Sequence, residues 1–387
     1  MSKPIDRHRT KSAVCKIAKA TSRRRFLAGA AVTAAGAALA FPQISRAQTV
    51  TLKMQSSWNS GDIYQDMAQQ YVERVEAMSG NRLKISLFAI GAAVDGFQLQ
   101  EAVHKGVLDG AHTVAAYWYG KHKAASLFGT GPVFGANASQ TLAWIHRGGG
   151  KELYRELVQD ILKLNIVAFF SYPFPTEPLG WFKEEIKSAD QLKGLKYRTV
   201  GLAADVMQGM GLEVVQLPAS GVMPAFKRGV IEAFEFANPT SDRELRAQDV
   251  SKHYMMGSYH QATEFFEIIF NKDKFDSLPK EHQAILEYGA EAASTANYAL
   301  AMDRHSNDLD ALITKDGVNI YRTPHSVMEA QLKSWDKVLA QLMKDPFFKK
   351  VVESQQAWSR RVAFYDLMNT ADYKLAYKHY FPDRITF

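Results

Sequence analysis

Apolar positions at the start of the chain recur at two alternating spacings. Thr49 to Gln55 alternates like a strand, Gly61 to Ser79 carries Ile63, Met67, Tyr71, Val72 and Val75 at helical spacing, and Gly80-Asn81 closes that helix. Arg82 to Phe88 again reads as strand, Gly96 to Lys105 as helix, and Gly110 to Tyr119 as a third apolar strand. This βαβαβ opening predicts a mainly parallel sheet, and ligands gather at the carboxyl ends of such strands. Tyr117, within Tyr117-Trp118-Tyr119, falls at one of those ends and is a candidate ligand contact. A core or edge aromatic cluster satisfies the same pattern.

Asn137 to Lys163 predicts a helix interrupted at Gly148-Gly149-Gly150, and Ile166 to Tyr172 a buried strand. In Pro173-Phe174-Pro175-Thr176-Glu177-Pro178 the prolines stop any regular element and favour an extended segment crossing between two lobes. Leu179 to Phe182, Leu195 to Val200, Gly211 to Gln216 and Val230 to Phe236 read as strands, with a short helix over Pro218 to Arg228 and a stop at Pro239. Phe265 to Phe270 is a return strand toward the first lobe. From Pro279 to Thr314 no further proline occurs, and a helix of that length covers about 54 Å, enough to lie across both lobes. Ser326 to Met343 and Phe347 to His379 predict two final helices, the last rich in aromatic residues. The expected architecture is α/β, with lobe I formed by 48–174 plus about 265–305, lobe II by 175–264 plus about 306–346, and a C-terminal helical extension over 347–387.

Composition changes this picture mainly at the amino-terminal end. Residues 1–47 hold a basic leader, Ser22-Arg23-Arg24-Arg25-Phe26-Leu27 and the small apolar run Ala28 to Phe41, the pattern of a twin-arginine export signal. Ser45-Arg46-Ala47 places small residues at cleavage spacing, so the mature chain is expected to begin at Gln48. The leader contains ten basic residues and one acid, or +9; subtracting this from the +7 of the whole chain leaves −2. The basic character therefore belongs to the leader, and nucleic acid loses its support as a partner. The single cysteine, Cys15, also lies there, so no disulfide or thiol nucleophile is expected in the mature protein.

Local catalytic signatures are lacking. Gly148-Gly149-Gly150-Lys151 is followed by Glu152 where a phosphate loop needs Ser or Thr, and Gly129-Thr130-Gly131 runs into Pro132. There is no Gly-x-Ser-x-Gly and no His-Glu-x-x-His.

What remains is one arginine and two acids. Arg198 ends a predicted strand before Gly201 and a helix from Leu202, while Glu177 and Glu235 lie in or beside proline-marked crossings. A cleft between lobes would gather all three, although for Arg198 taken alone a surface ion pair is the commoner fate of an arginine. The stretch Leu192-Lys193-Gly194-Leu195-Lys196-Tyr197-Arg198, together with Gly180-Trp181-Phe182, Pro218-Ala219-Ser220-Gly221-Val222 and Gly229 to Pro239, resembles the solute-binding proteins of tripartite ATP-independent periplasmic (TRAP) transporters. The resemblance covers nearly the whole mature chain. It implies the two-lobed periplasmic solute-binding protein fold and a receptor, not an enzyme, that hands a small monocarboxylate to membrane permease subunits. In the family the arginine of this pattern pairs with the ligand carboxylate, a role that passes to Arg198.

The details most resemble the branch that binds 2-oxo or small hydroxy acids with a bridging cation, Na⁺ or Ca²⁺. There, Glu235 and the Phe236 carbonyl match two cation ligands, while Glu177 stands where glutamine is expected and Phe236 where tryptophan is common. Arg198, Glu177, Tyr117 and Phe236 are thus the implied ligand contacts, and Glu177, Glu235 and Phe236 the implied metal ligands. Two carboxylates plus that of the ligand outweigh one arginine, a balance that suits Ca²⁺ better than Na⁺. Alternatively Glu177 accepts a hydrogen bond from a lactam N–H of a pyroglutamate-like ligand, without metal; both readings stay open at this stage. The rival of a different class is a secreted enzyme using Glu177 or Glu235 as base. The apolar last helix suggests a homodimer.

Overall fold

The computed structural model describes residues 49–384. The expectations about the export signal, its cleavage and Cys15 fall outside the described residues. In chain order the strands are β1 Val50–Ser56, β2 Leu83–Phe88, β3 Gly110–Val114, β4 Ile166–Pro173, β5 Gly180–Phe182, β6 Lys196–Arg198, β7 Glu213–Val215, β8 Ala233–Phe234, β9 His253–Met256, β10 Phe265–Asn271 and β11 Asn319–Arg322. They form two sheets, one ordered β2-β1-β3-β10-β4 and the other β11-β9-β5-β8-β6-β7.

In the first sheet β1 runs parallel to both β2 and β3, as the opening periodicity predicts. The return strand β10 enters antiparallel between β3 and β4. Every residue of β10 is buried, as expected of a strand flanked on both edges and covered on both faces. In the second sheet β6 lies parallel to β7 and β8, and β5 antiparallel to β8 and β9.

The helices that position the site or the sheets are α1 Ile63–Met78, α2 Ala138–Arg147, α3 Leu202–Gly209, α4 Ala219–Lys227, α5 Pro239–Glu244, α6 Lys280–Thr314, α7 His325–Leu342, α8 Pro346–Asn369 and α9 Tyr373–Tyr380. The long α6 binds the two halves together. Its Leu286, Ala290 and Ala293 pack with Leu52 and Val75 of the first sheet's core. Farther along, Ala301 and Leu312 join a second core containing Trp181, Phe234 and Tyr254. Small residues along the packed stripe let the helix lie close to both.

Several elements depart from the sequence expectation for local reasons. The third strand stops at Val114, and Ala115–Trp118 turns into a 3₁₀ helix, which carries Tyr117 past the strand end. The strand expected over Val230 to Phe236 shrinks to Ala233–Phe234. Pro239 does not merely stop a strand. It is the first residue of α5, whose cap Asn238 accepts from the Thr240 and Ser241 amides at 3.0 and 2.9 Å. The last helix, read as continuous from Phe347 to His379, is two: Thr370 turns extended, and Asp372 caps a new start by accepting from the Leu375 amide at 2.9 Å. Among the described residues no helix is long and apolar enough to cross a membrane.

Candidate functional site

Parallel pairing of β6 with β8 brings the arginine and one acid together. Arg198 is in register with Phe234, and the Glu235 amide donates to the Arg198 carbonyl at 3.3 Å. Both strands therefore end side by side at the carboxyl edge. Alternation along β6 sends Tyr197 to the opposite face, where its hydroxyl donates to the Leu179 carbonyl at 2.7 Å.

Arg198 is 1% exposed, far from the surface ion pair that the sequence also allowed. Nε and Nη2 donate to the Leu217 carbonyl at 2.9 and 2.6 Å. Nη1 donates to the Glu235 carbonyl at 2.9 Å and to Glu235 Oε1 at 3.1 Å. These bonds engage four of the five guanidinium N–H groups and leave one on Nη2. The Phe236 ring lies 5.9 Å from the guanidinium carbon, so the residue that replaces the expected tryptophan still covers the cation with an aromatic ring.

Glu177 arrives from the crossing between β4 and β5, and it is buried rather than solvated. Its amide donates to the Gln261 carbonyl at 3.2 Å, the Thr176 hydroxyl to the Ala262 carbonyl at 3.2 Å, and the Phe174 amide to the Glu264 carbonyl at 3.0 Å. The outward crossing is thereby laced to the return crossing before β10. Gly180 completes the placement. Its φ is +103°, and a Cβ there would stand 2.1 Å from the Phe234 carbonyl oxygen, so only glycine lets the two backbones approach.

Glu177 and Glu235 lie within reach of a shared proton, and Oε2 of each is buried without a hydrogen-bond donor. Burial drives the Glu177 carboxyl well above the usual carboxylate range; Glu235 and Glu264 push the same way, and Arg198 opposes. Burial also raises Glu235 against the pull of Arg198. Two like charges in a poorly hydrated space cannot both stay ionised without a cation beyond the one guanidinium. The donor set fits such an ion, as hard carboxylate oxygens suit Na⁺ or Ca²⁺.

Tyr117 completes the group at its rim. Burial raises its hydroxyl, on which the charges of Arg198, Glu235 and Glu177 act, and its ring meets Phe97 edge-on with centroids 4.8 Å apart. A larger cavity of about 880 Å³, bordered by Thr176, Tyr259 and Ala262, lies beyond the crossings and includes none of the three charged residues.

Sequence reasoning missed four contributors. Leu217 acts through a main-chain carbonyl, which leaves no side-chain signature. Gln261 and Glu264 belong to the return crossing, where Glu264 accepts from the Thr130 hydroxyl at 2.9 Å. Asp242 accepts from the Trp181 indole at 2.9 Å and the Ala237 amide at 3.2 Å, fixing the turn after Glu235. An available signal was Glu264 just before, and Glu267 within, an otherwise largely apolar strand, since buried acids are rare without a partner.

Two contacts tie the sheets together near the group. Asp205 of α3 accepts from the Tyr119 hydroxyl at 2.8 Å and from Lys123 Nζ at 2.9 and 3.1 Å. Gly201, at φ +61°, leaves room for a Cβ only 3.0 Å from Ser126 Oγ and 3.2 Å from the Ala116 Cβ.

Comparison with known proteins identifies the family. Residues 54–350 match the family described as bacterial extracellular solute-binding protein, family 7 (DctP). A monocarboxylate 2-oxoacid-binding periplasmic protein of Nostoc sp. PCC 7120 is 31% identical over 310 residues, covering 79% of this chain and 83% of the relative. A TRAP transporter solute-binding protein of Bordetella bronchiseptica RB50, a dimer with copurified calcium and picolinate, superposes with a TM-score of 0.79 at 28% identity, over 86% of this chain and 97% of its own. That of Pseudoalteromonas atlantica T6c, with bound sodium and pyruvate, gives 0.78 at 26% identity over 86% and 100%. That of Colwellia psychrerythraea, with bound calcium and pyruvate, gives 0.78 at 27% identity with the same coverage. The chain therefore belongs to family 7 of the bacterial extracellular solute-binding proteins, the periplasmic receptors of TRAP transporters.

Proposed function

We propose that this receptor captures a small monocarboxylate of the 2-oxo or hydroxy acid class at Arg198, Glu177, Phe236 and Tyr117, with a cation bridging protein and ligand. The observation that carries the reading is the facing pair of buried carboxylates, each with an oxygen that no protein donor reaches, beside a guanidinium with one N–H to spare. Such a pair either shares a proton or holds a cation. A 2-oxo acid brings a carboxylate for Arg198 and an adjacent carbonyl oxygen for the ion. Among the described residues no three His, Cys, Asp or Glu side chains group as metal ligands. The ion would thus be completed by the Phe236 carbonyl and by the ligand, which makes cation and ligand binding mutually dependent. The charge balance favours Ca²⁺ over Na⁺, and similar receptors hold either with pyruvate.

The two sheets act as lobes, 48–174 with about 265–305 and 175–264 with about 306–346, closing on the ligand about the laced crossings. The loaded receptor serves membrane permease subunits, and its role is binding, not catalysis. A second copy covers the exposed residues of the C-terminal helices, among them Phe364, Leu367, Met368, Tyr373 and Tyr380. Removing residues 364–387 would then lower the molecular mass measured by scattering to that of a monomer.

The decisive test is titration of pyruvate into EDTA-stripped protein, repeated with added Ca²⁺ or Na⁺ at constant ionic strength. Tight binding should require the cation. Equal affinity throughout overturns the bridge and leaves Glu177 as acceptor for a lactam N–H, whereas no response to any small monocarboxylate overturns the ligand class. Mass spectrometry of the copurifying molecule separates receptor from enzyme: a chemically altered ligand would revive Glu177 or Glu235 as a base.

A further inference from the structure

Tyr117 packs against two cores, one holding Trp118 and the other Phe236, and its neighbour Ala116 lies against Gly201, three residues after Arg198. The charges of Arg198, Glu177 and Glu235 act on the Tyr117 hydroxyl. Tyr117 also borders a cavity of about 410 Å³ whose wall includes Phe97, Trp118, Val200 and Gln216. That volume lies within the roughly 300–1,000 Å³ of small-molecule pockets. Its walls come from segments that follow strands of both sheets: Trp118 lies in the 3₁₀ helix after β3 and Phe97 in another, while Val200 and Gln216 come just after β6 and β7. The cavity also begins next to the anion site in the chain. Val200 follows Arg198 by two residues, and Gln216 directly precedes Leu217, whose carbonyl grips the guanidinium.

Phe97 meets the Tyr117 ring edge-on at 4.8 Å and 79°, and Trp118 at 6.5 Å and 89°. The cavity carries aromatic and aliphatic walls, and neither Glu177 nor Glu235 lines it. Its one charged wall residue, Lys121, is already paired with Glu101 at 3.3 Å. The compartment suits a hydrocarbon chain better than a second charged group.

We propose that Tyr117 sets the chain-length preference of the receptor: its ring confines the ligand to the charged compartment, and the cavity behind it is a latent pocket for the aliphatic tail of longer 2-oxo acids. The inference rests on Arg198 taking the ligand carboxylate and on the tail then facing Tyr117. A short acid is complete within the charged compartment, whereas each further methylene has to displace the ring or remain unaccommodated. With the ring removed, each methylene entering the cavity should gain about fourfold in affinity.

The test is calorimetric titration of unbranched 2-oxo acids from three to seven carbons into wild type, Tyr117→Phe and Tyr117→Ala, read as the affinity ratio of long to short acid. Wild type and Tyr117→Phe should favour the short acids in the same order, because the ring and not the hydroxyl forms the partition. Tyr117→Ala should reverse that order. Adding Gln216→Trp, at an exposed position on the cavity rim, should restore it. A Tyr117→Ala protein that keeps the wild-type order overturns the proposal. Should Tyr117→Ala fail to fold, Gln216→Trp in the wild-type background decides: it should sharpen the preference for short acids, and an unchanged ratio overturns the proposal. A wild type that binds none of the series overturns the underlying reading of Arg198, an outcome distinct from an unaltered order.

Discussion

Arg198 clasps the main-chain carbonyl of Leu217 with two donors, Nε at 2.9 Å and Nη2 at 2.6 Å. The fork is therefore oriented by backbone before any ligand arrives, and Glu235 fixes the other arm. An ammonium has three N–H donors in place of five, and the Leu217 carbonyl, the Glu235 carbonyl and Glu235 Oε1 would use all of them. Arg198→Lys should keep the charge yet weaken ligand binding by about 2 kcal/mol, roughly thirtyfold. Arg198→Ala, which leaves Glu235 without its buried partner, should also destabilise the free protein by about 3–5 kcal/mol. Calorimetry for the first and denaturant unfolding for the second check both.

Asp205 fastens one sheet to the other without touching the proposed ligand. Asp205→Asn should raise the ligand dissociation rate by up to about fivefold, since Lys123 is partly exposed and such pairs contribute at most about 1 kcal/mol. The association rate should stay nearly constant. Stopped-flow fluorescence distinguishes the two rates.

Gly201 leaves only a tight fit for a side chain against Ala116 and Ser126. Gly201→Ala forces a Cβ into a backbone conformation that disfavours it and into contact with Ala116 and Ser126, a cost of about 1–3 kcal/mol. Because that contact lies between the sheets, the ligand-induced rise in melting temperature should shrink more than the melting temperature of the free protein. A uniform drop in both would assign the cost to local strain alone.

Glu267 supplies a pH signature. Burial lifts its carboxyl to about 7 from an ordinary 4.5, against the donors Tyr154 and Trp118, which pull it down. Between those values the folded protein keeps a proton that the unfolded chain has released, so stability falls as pH rises through that window. The loss amounts to about 3 kcal/mol by pH 8. Glu267→Gln should lack this component and gain on wild type from pH 5 to pH 8 in urea midpoints. Parallel curves would contradict it.

Local periodicity made much of this legible. The β1–β2–β3 opening, the length of α6 and the strand ending at Arg198 follow from spacing, proline positions and glycine stops. The β9 and β11 strands do not, because four-residue strands far apart in sequence pair only through tertiary context. Arg198 and Glu235 could be linked in the sequence through strand ends, whereas the burial of Glu177 depends on the Gln261 and Glu264 carbonyls and on the close approach at Gly180. None of these has a periodic signal. The break at Thr370 was hidden because aromatic spacing continues across it, and only the Asp372 cap marks the new start.

The position of β10 governs how the chain can fold. It pairs with both β3 and β4 in the interior of the first sheet, yet it is made only after the strands β5 to β9 of the second. Until Phe265–Asn271 is available, β3 and β4 face each other across a gap with apolar edges open. The first sheet is thus not an autonomous folding unit, and a fragment ending before Phe265 should aggregate rather than collapse to a native half. With so many pairings distant in sequence, folding is expected to be slow and cooperative across both halves.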